Sequence, residues 1–89
     1  GITMNDIDFV ELNEAFAAQA ISVVRELKID PAKLNVDGGA VAIGHPLGAS
    51  GARVTGKAAL LLHKHGKKYA LSTLCIGGGM GMATVLEKI

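Results

Sequence analysis

Three short segments rich in glycine and polar side chains interrupt an otherwise apolar chain, at residues 13–16, 38–53 and 75–81. Each segment follows a short run of apolar and β-branched residues typical of a buried strand. Open α/β sheets place their chemistry beyond the carboxyl ends of their strands. We therefore expect an amide (Asn13), an imidazole (His45) and the only thiol (Cys75) at one edge of one sheet.

The size and composition of the chain limit what it can do alone. It has 89 residues, of which 49% are hydrophobic and 3% aromatic. A chain of this length forms one domain at most, with a core that is only marginally stable. We expect it to bury apolar surface against another polypeptide. The longest apolar run, at residues 58–62, is too short to cross a bilayer, so no membrane partner is predicted.

Charge and cysteine content exclude several further classes of function. The formal net charge is +1, and the basic residues form no stripe that would bind nucleic acid. A single cysteine excludes an intramolecular disulfide and is typical of a reducing compartment, which favours a cytoplasmic location. His63 and His65 make no recognised metal spacing with Cys75, so no metal site is predicted.

The N-terminal half is predicted to contain a strand and then a helix. Residues 7–12 have the length and alternation of a strand. Asn13 is expected to cap a helix that runs to Lys28, with Glu14 near its positive end. One face of this helix is apolar, with Phe16, Ala20, Val23, Val24 and Leu27.

The C-terminal half is predicted to contain a short strand, a helix and a hairpin. Residues 38–43 are small and β-branched, as in a short second strand before a tight loop. A helix over 52–65 has small residues on two faces, which indicates packing between two layers, and Gly66 is expected to end it. Two further strands are predicted at 69–74 and 82–86, as an antiparallel hairpin.

The resulting order β-α-β-α-β-β predicts an α/β fold with a mixed sheet. Because crossovers between parallel strands are right-handed, strands in the order second, first, third, fourth would put the helices on opposite faces. A switch point beside the first strand would then bring Asn13, His45 and Cys75 together.

The three segments resemble the C-terminal signatures of the thiolases, which make and break carbon-carbon bonds between acyl-CoA molecules. Asn-Glu-Ala-Phe at 13–16, the Gly-His-Pro run within 38–53, and Cys-Ile-Gly-Gly-Gly-Met-Gly at 75–81 have that family's order and spacing. The similarity covers residues 6–89. The middle segment favours the acetyl-CoA acetyltransferase branch, although 3-ketoacyl-CoA thiolases share most of it.

The resemblance also implies that part of the enzyme is absent. Thiolases have two similarly folded halves, and the cysteine that carries the acyl group lies in the N-terminal half. Residues 1–89 are therefore expected to be a single incomplete domain, the C-terminal part of a thiolase, that is inactive alone. The implied partners are that N-terminal half, a second copy in a homo-oligomer, and acyl-CoA substrates, with no covalently bound cofactor.

Thiolase chemistry assigns roles to the residues that match its motifs. His45 would accept the proton of the missing cysteine, because imidazole titrates near neutral pH. Cys75 would be the second thiol, removing an α-proton from acetyl-CoA in the condensation direction. His45 and a water held by Asn13 would stabilise an enolate oxygen, and the backbone N–H of Gly77 would contribute to a second oxyanion hole. Residues that contact CoA are not identified.

Other interpretations of the same residues stay open. Asn13 could only cap a helix, His45 could be an ordinary loop residue, and Cys75 could be an inert buried thiol. The chain could also be a non-enzymatic scaffold that pairs with a partner through residues 52–65. Within the enzymatic interpretation, the alternatives are a 3-ketoacyl-CoA thiolase of fatty-acid β-oxidation and another condensing enzyme of the thiolase fold.

Overall fold

The computed structural model describes all 89 residues as a three-stranded sheet with three α-helices. The elements are β1 (Phe9–Leu12), α1 (Ala17–Leu27), α2 (Ala40–Ile43), α3 (Leu47–His65), β2 (Tyr69–Gly77) and β3 (Met80–Glu87). Short 3-10 turns lie at Met4–Asp6 and Pro31–Lys33. No helix combines the length and apolar character needed to cross a bilayer.

The sheet is mixed, in the order β1-β2-β3. β1 and β2 are parallel, with Leu12 opposite Thr73, whereas β2 and β3 are antiparallel. Gly78 and Gly79 connect β2 to β3 with φ angles of 57° and 77°, which glycine adopts without steric cost and which two-residue hairpin turns require. The predicted antiparallel hairpin is confirmed, but its strands extend beyond 69–74 and 82–86 and leave a shorter turn.

The helices pack on opposite faces of the sheet because residues alternate along its strands. Val10 and Leu12 face one side, where they join the core cluster that includes Ala20 of α1. Ala70 of β2 faces the other side and packs with Ala58 of α3. Ala58 and Ala70 are completely buried, and their small size lets α3 and the sheet approach closely. The predicted α/β class, with helices on both faces, is confirmed.

The second strand predicted at residues 38–43 is wrong. Residues Ala40–Ile43 form α2, a single helical turn in which only Ala40 is buried. The Val41 N–H at its start donates to Glu14 Oε1 at 3.2 Å, and a carboxylate near a helix N-terminus favours the helical turn. A Cβ atom at position 39 would overlap the Glu14 carboxylate, so a larger residue there would require the Glu14 side chain to move. Glu14 therefore acts on α2 rather than on the dipole of α1.

A side chain takes the place of the missing strand beside β1. Leu34 makes one isolated parallel bridge to Val10. The Asn35 side chain then accepts from the Leu12 N–H at 2.9 Å and donates to the Leu12 carbonyl at 2.8 Å. These bonds satisfy the backbone polar groups that a second strand would have paired. The predicted four-strand order is wrong for that reason, although the three strands that form keep their predicted relative positions.

The helix starts also differ from those predicted. α1 begins at Ala17 after Phe16, so the predicted cap by Asn13 is wrong. α3 begins at Leu47 directly after Pro46, earlier than residue 52, and the Pro46 carbonyl accepts the backbone N–H groups of Ala49 and Ser50 at the helix start. Its C-terminal cap is Gly66 with φ of 63°, which confirms the predicted end.

Candidate functional site

The contact between Asn13 and His45 defines the candidate site. Asn13 directly follows β1, is fully buried, and donates its backbone N–H to the Thr73 carbonyl at 2.9 Å. This bond continues the ladder between β1 and β2 and holds Asn13 at the carboxyl end of the sheet. The Asn13 amide nitrogen lies 3.4 Å from both ring nitrogens of His45.

His45 lies in the short connection between α2 and α3, and not at a strand end as the sequence predicted. Gly44 precedes it with φ of 96°, a conformation that favours glycine, and Pro46 follows as the cap of α3. The His45 Nδ1 atom is 2.5 Å from Ser50 Oγ in the first turn of α3. The half-buried imidazole is thus held by a strand end on one side and a helix start on the other.

A buried polar group extends from Asn13 into the interface between β1 and α3. Arg53 Nη2 donates to Asn13 Oδ1 at 3.5 Å. Glu11 is only 1% exposed, and its Oε2 has no hydrogen-bond partner. Burial raises the pKa of Glu11 to about 7, although the positive charges of Arg53 and Lys57 oppose this shift.

The sequence interpretation missed Glu11, Ser50 and Arg53 as members of this group. A signal for Glu11 existed, since it is an acidic residue between the buried Val10 and Leu12. Ser50 and Arg53 are three positions apart in α3, so a helix beginning before residue 52 would have placed them on one face. The late predicted start of this helix hid that relationship.

Cys75 and Gly77 lie at the same end of the sheet but in a neighbouring cavity. Cys75 is exposed on β2, two positions beyond Thr73. It lines a cavity of about 340 Å³ together with Leu12, Gln19, Val23, Thr73, Leu74, Gly77, Gly79, Met80 and Gly81. Gly77 has φ of 140° and lies at an irregularity in the β2–β3 ladder.

The predicted residues therefore form two adjoining parts rather than one contact cluster. Asn13 and His45 touch, whereas the Cys75 thiol has no hydrogen bond to either of them. Leu12, the neighbour of Asn13 in the chain, lines the cavity of Cys75 and thus connects the two parts. This arrangement offers an imidazole and an amide beside an accessible thiol, groups suited to proton transfer and to stabilising an oxyanion.

Comparison with known proteins identifies the fold and the family. Residues 1–88 match the model of the thiolase C-terminal domain. The chain is 54% identical to a probable acetyl-CoA acetyltransferase of Mycolicibacterium smegmatis, over 99% of this chain and 23% of that protein. It is 49% identical to the mitochondrial 3-ketoacyl-CoA thiolase of Bos taurus, over 98% of this chain and 22% of that protein.

A solved structure gives the same result. The crystal structure of human mitochondrial 3-ketoacyl-CoA thiolase in complex with CoA superposes on the whole chain with a TM-score of 0.96 at 48% identity. That superposition covers 22% of the human chain, so the present chain spans less than a quarter of the length of these relatives. The chain belongs to the thiolase family and has the fold of its C-terminal domain.

Proposed function

We propose that this chain is the C-terminal catalytic portion of an acetyl-CoA C-acetyltransferase. Such an enzyme condenses two acetyl-CoA molecules to acetoacetyl-CoA and CoA, or catalyses the reverse thiolysis. The observation that carries the proposal is the contact of Asn13 with both His45 ring nitrogens at 3.4 Å, at the end of a buried strand in a chain of this family. The CoA bound to the human relative supports acyl-CoA thioesters as the substrate class.

In the proposed reaction, His45 accepts the proton of a nucleophilic cysteine that the N-terminal portion of the enzyme supplies. The resulting thiolate attacks the thioester carbonyl of the first acyl-CoA, and the departing CoA takes the proton of the Cys75 thiol. Cys75, now a thiolate, then removes an α-proton from the second acetyl-CoA. The resulting carbanion attacks the acyl-enzyme carbonyl, and the expelled cysteine thiolate takes back its proton from His45. The exposure of Cys75 on the wall of a cavity of about 340 Å³ supports its role, because a general base must reach its substrate.

Negative charge on the reacting oxygens requires fixed hydrogen-bond donors. We assign His45, together with a water held by the Asn13 amide, to the enolate oxygen. The backbone N–H of Gly77 is assigned to the acyl-enzyme oxygen, since glycine lets the backbone approach a substrate closely. No metal or bound cofactor has a part in this scheme.

The proposal includes two protein partners. The first is the N-terminal portion of a thiolase, which would supply the nucleophile, so the chain alone is expected to be inactive. The second is another copy of the enzyme in a homo-oligomer. Large apolar side chains that are more than half exposed support such contacts, among them Leu60, Met82 and Val85. We place the enzyme in the cytoplasm, where a free thiol stays reduced.

Two other functions are retained for specific reasons. A 3-ketoacyl-CoA thiolase of fatty-acid β-oxidation is supported by the bovine relative, whose 49% identity is close to the 54% of the bacterial acetyltransferase. A non-enzymatic scaffold that pairs with a partner through α3 is supported by Leu60, a large apolar side chain of that helix that is more than half exposed.

The proposal can be tested in a chimera in which this chain replaces the matching segment of the Mycolicibacterium smegmatis relative. We expect the chimera to cleave acetoacetyl-CoA with CoA, and a Cys75→Ala chimera to lose this activity. Preference for long-chain 3-ketoacyl-CoA would instead favour the β-oxidation enzyme. A folded chimera with no thiolysis of either substrate would contradict an enzymatic role and favour the scaffold.

A further inference from the structure

The position of the proton on His45 follows from the hydrogen bonds of Ser50. A serine hydroxyl has one proton to donate and two lone pairs that accept. Ser50 Oγ donates to the Pro46 carbonyl at 3.2 Å, one turn earlier in the chain. With its proton on the Pro46 carbonyl, Ser50 Oγ is an acceptor in its 2.5 Å contact with His45 Nδ1. In this arrangement the proton of the contact comes from Nδ1.

The Asn13 amide holds the imidazole from the opposite side. Arg53 has only donors, so its contact at 3.5 Å requires the oxygen of the Asn13 amide to face it. The Asn13 NH₂ group is then turned towards His45, where its nitrogen lies 3.4 Å from both Nδ1 and Nε2. Because the two distances are equal, this contact fixes the position of the ring and favours neither tautomer.

The hydrogen bonds of Ser50 therefore carry the assignment of the proton. They run from His45 Nδ1 through Ser50 Oγ to the Pro46 carbonyl. With the ring proton on Nε2, Nδ1 would have no proton for Ser50, and the serine would have to turn its own proton away from the carbonyl.

We propose that Ser50 is a positioning residue that holds His45 in the tautomer with the proton on Nδ1 and the lone pair on Nε2. Ser50 is suited to this role because it is completely buried, so water does not compete for its hydroxyl. The helix start at Pro46 places the hydroxyl, since Ser50 is four residues further and its bond spans the first turn.

The consequence for catalysis rests on the proposed function. Nε2 can take the proton of a nucleophilic cysteine without any prior rearrangement of the ring. The transfer leaves a thiolate and an imidazolium, in which Nε2–H becomes a donor for an oxyanion and Nδ1–H stays bonded to Ser50. Ser50 therefore prepares His45 for both of its assigned steps, although it touches no reacting atom.

The first experiment measures the tautomer in the present chain and requires no activity. Long-range proton-nitrogen NMR of the labelled His45 ring distinguishes Nδ1–H from Nε2–H. We expect Nδ1–H to dominate in the unmodified chain. Ser50→Ala should lower the Nδ1–H to Nε2–H ratio roughly fivefold, as expected for loss of one hydrogen bond. Ser50→Cys keeps the side-chain size but accepts poorly, and should act in the same direction.

Ser72→Ala is the matched control. Ser72 is also buried between α3 and the sheet, where its hydroxyl pairs with Thr55 at 2.9 Å and not with His45. This variant should leave the His45 tautomer unchanged at a similar cost in thermal stability. Dominant Nε2–H in the unmodified chain, or an unchanged ratio in both folded Ser50 variants, would overturn the proposal.

The second experiment measures kinetics in the chimera. Ser50→Ala should lower kcat on the order of 10²-fold with little change in KM, because a wrong tautomer impairs proton transfer and not binding. Ser50→Thr keeps the hydroxyl and should recover most of the loss. Equal kcat in Ser50→Ala and Ser72→Ala would contradict a catalytic consequence. A chimera inactive in every form would contradict the proposed function, while the NMR result would still decide the tautomer.

Discussion

The amide nitrogen of Asn13 lies 3.4 Å from both ring nitrogens of His45, although 32 positions separate the two residues in the chain. The contact forms because β1 ends at Leu12 and α3 begins directly after Pro46. The end of a strand and the start of a helix, which are far apart in the sequence, thereby lie side by side. The proposed chemistry depends on this meeting of a strand end and a helix start.

Removal of the imidazole or of the thiol should abolish most of the proposed activity. In the chimera, His45→Ala and Cys75→Ala should each lower turnover by roughly 10² to 10⁴-fold or more, the usual contribution of an acid-base group. Cys75→Ala should change thermal unfolding little, because the thiol is exposed. His45→Ala should stay folded but lose about 1–3 kcal/mol, because the buried Asn13 and Ser50 lose their partner. His63→Ala, in the last turn of α3, is the control and should retain full turnover. Near-normal kcat for His45→Ala would defeat its assignment.

The buried carboxyl of Glu11 should make stability depend on pH near neutrality. Its pKa is raised from 4.5 to about 7 in the folded chain, so the folded state binds more protons than the unfolded state between these values. Stability from this group is therefore full below pH 4.5 and is lost as the pH rises through about 7.

Glu11→Gln removes this titration and tests the effect. The free energy of unfolding of the unmodified chain, measured relative to Glu11→Gln, should fall by roughly 2–3 kcal/mol between about pH 5 and pH 8. Urea unfolding at several pH values would measure it. Parallel pH profiles of the two proteins would show that Glu11 titrates as an exposed carboxyl does.

The Asn35 side chain should contribute strongly to stability because it replaces a strand. Asn35→Ala would leave the N–H and carbonyl of the buried Leu12 without their partners, at a cost of roughly 2–3 kcal/mol. Asn35→Asp should cost at least as much, because it removes the donor and adds a carboxylate beside Glu14. The exposed Asn5→Ala is the control, with an expected change within about 0.5 kcal/mol. Equal unfolding midpoints for Asn5→Ala and Asn35→Ala would contradict this role.

Two glycine substitutions should have opposite effects. Gly39→Ala would push the Glu14 carboxylate away from the Val41 N–H and should destabilise the chain by about 0.5–1 kcal/mol, since this hydrogen bond is exposed. Gly56→Ala lies in α3, where an added Cβ meets nothing within 4 Å, and should stabilise by about 0.5–1 kcal/mol. Thermal unfolding of both variants tests the pair. A Gly39→Ala variant as stable as the unmodified chain would show that Glu14 does not hold α2.

The isolated chain should self-associate. Leu60, Met82 and Val85 are each more than half exposed, and β3 presents an unpaired edge of the sheet. Sedimentation velocity over a range of concentrations should show species larger than the monomer. Val85→Lys should shift the equilibrium towards monomer, because a charge on the outer strand opposes association. A stable monomer at all concentrations would contradict this expectation.

The local pattern of apolar residues and glycines was sufficient to predict the parts of the fold that depend on residues close together in the sequence. The 3.6-residue apolar period identified α1 and α3, and Gly66 correctly marked the end of α3. The glycines at 77–79 placed the hairpin turn. The helices lie on opposite faces of the sheet, as right-handed crossovers predicted for an order in which the third predicted strand lies beside the first.

Residues 38–43 could not be assigned in this way, because four small or branched apolar residues suit one helical turn as well as a short strand. The choice depended on two distant side chains: Glu14, which accepts from the Val41 N–H, and Asn35, which satisfies the edge of β1. Likewise, Asn13 had two possible uses, as a helix cap or as a partner of His45.

Residue identity and spacing were enough to predict the fold class, the hairpin, the family resemblance and the chemical types of the candidate residues. Which of these residues meet depended on how the folded chain packs. Packing joined Asn13 to His45, added Ser50 and Arg53, and left Cys75 in the adjoining cavity. Buried polar groups form hydrogen bonds with the donors and acceptors that lie within about 3 Å of them in the folded chain. The spacing of residues along the sequence does not give these distances.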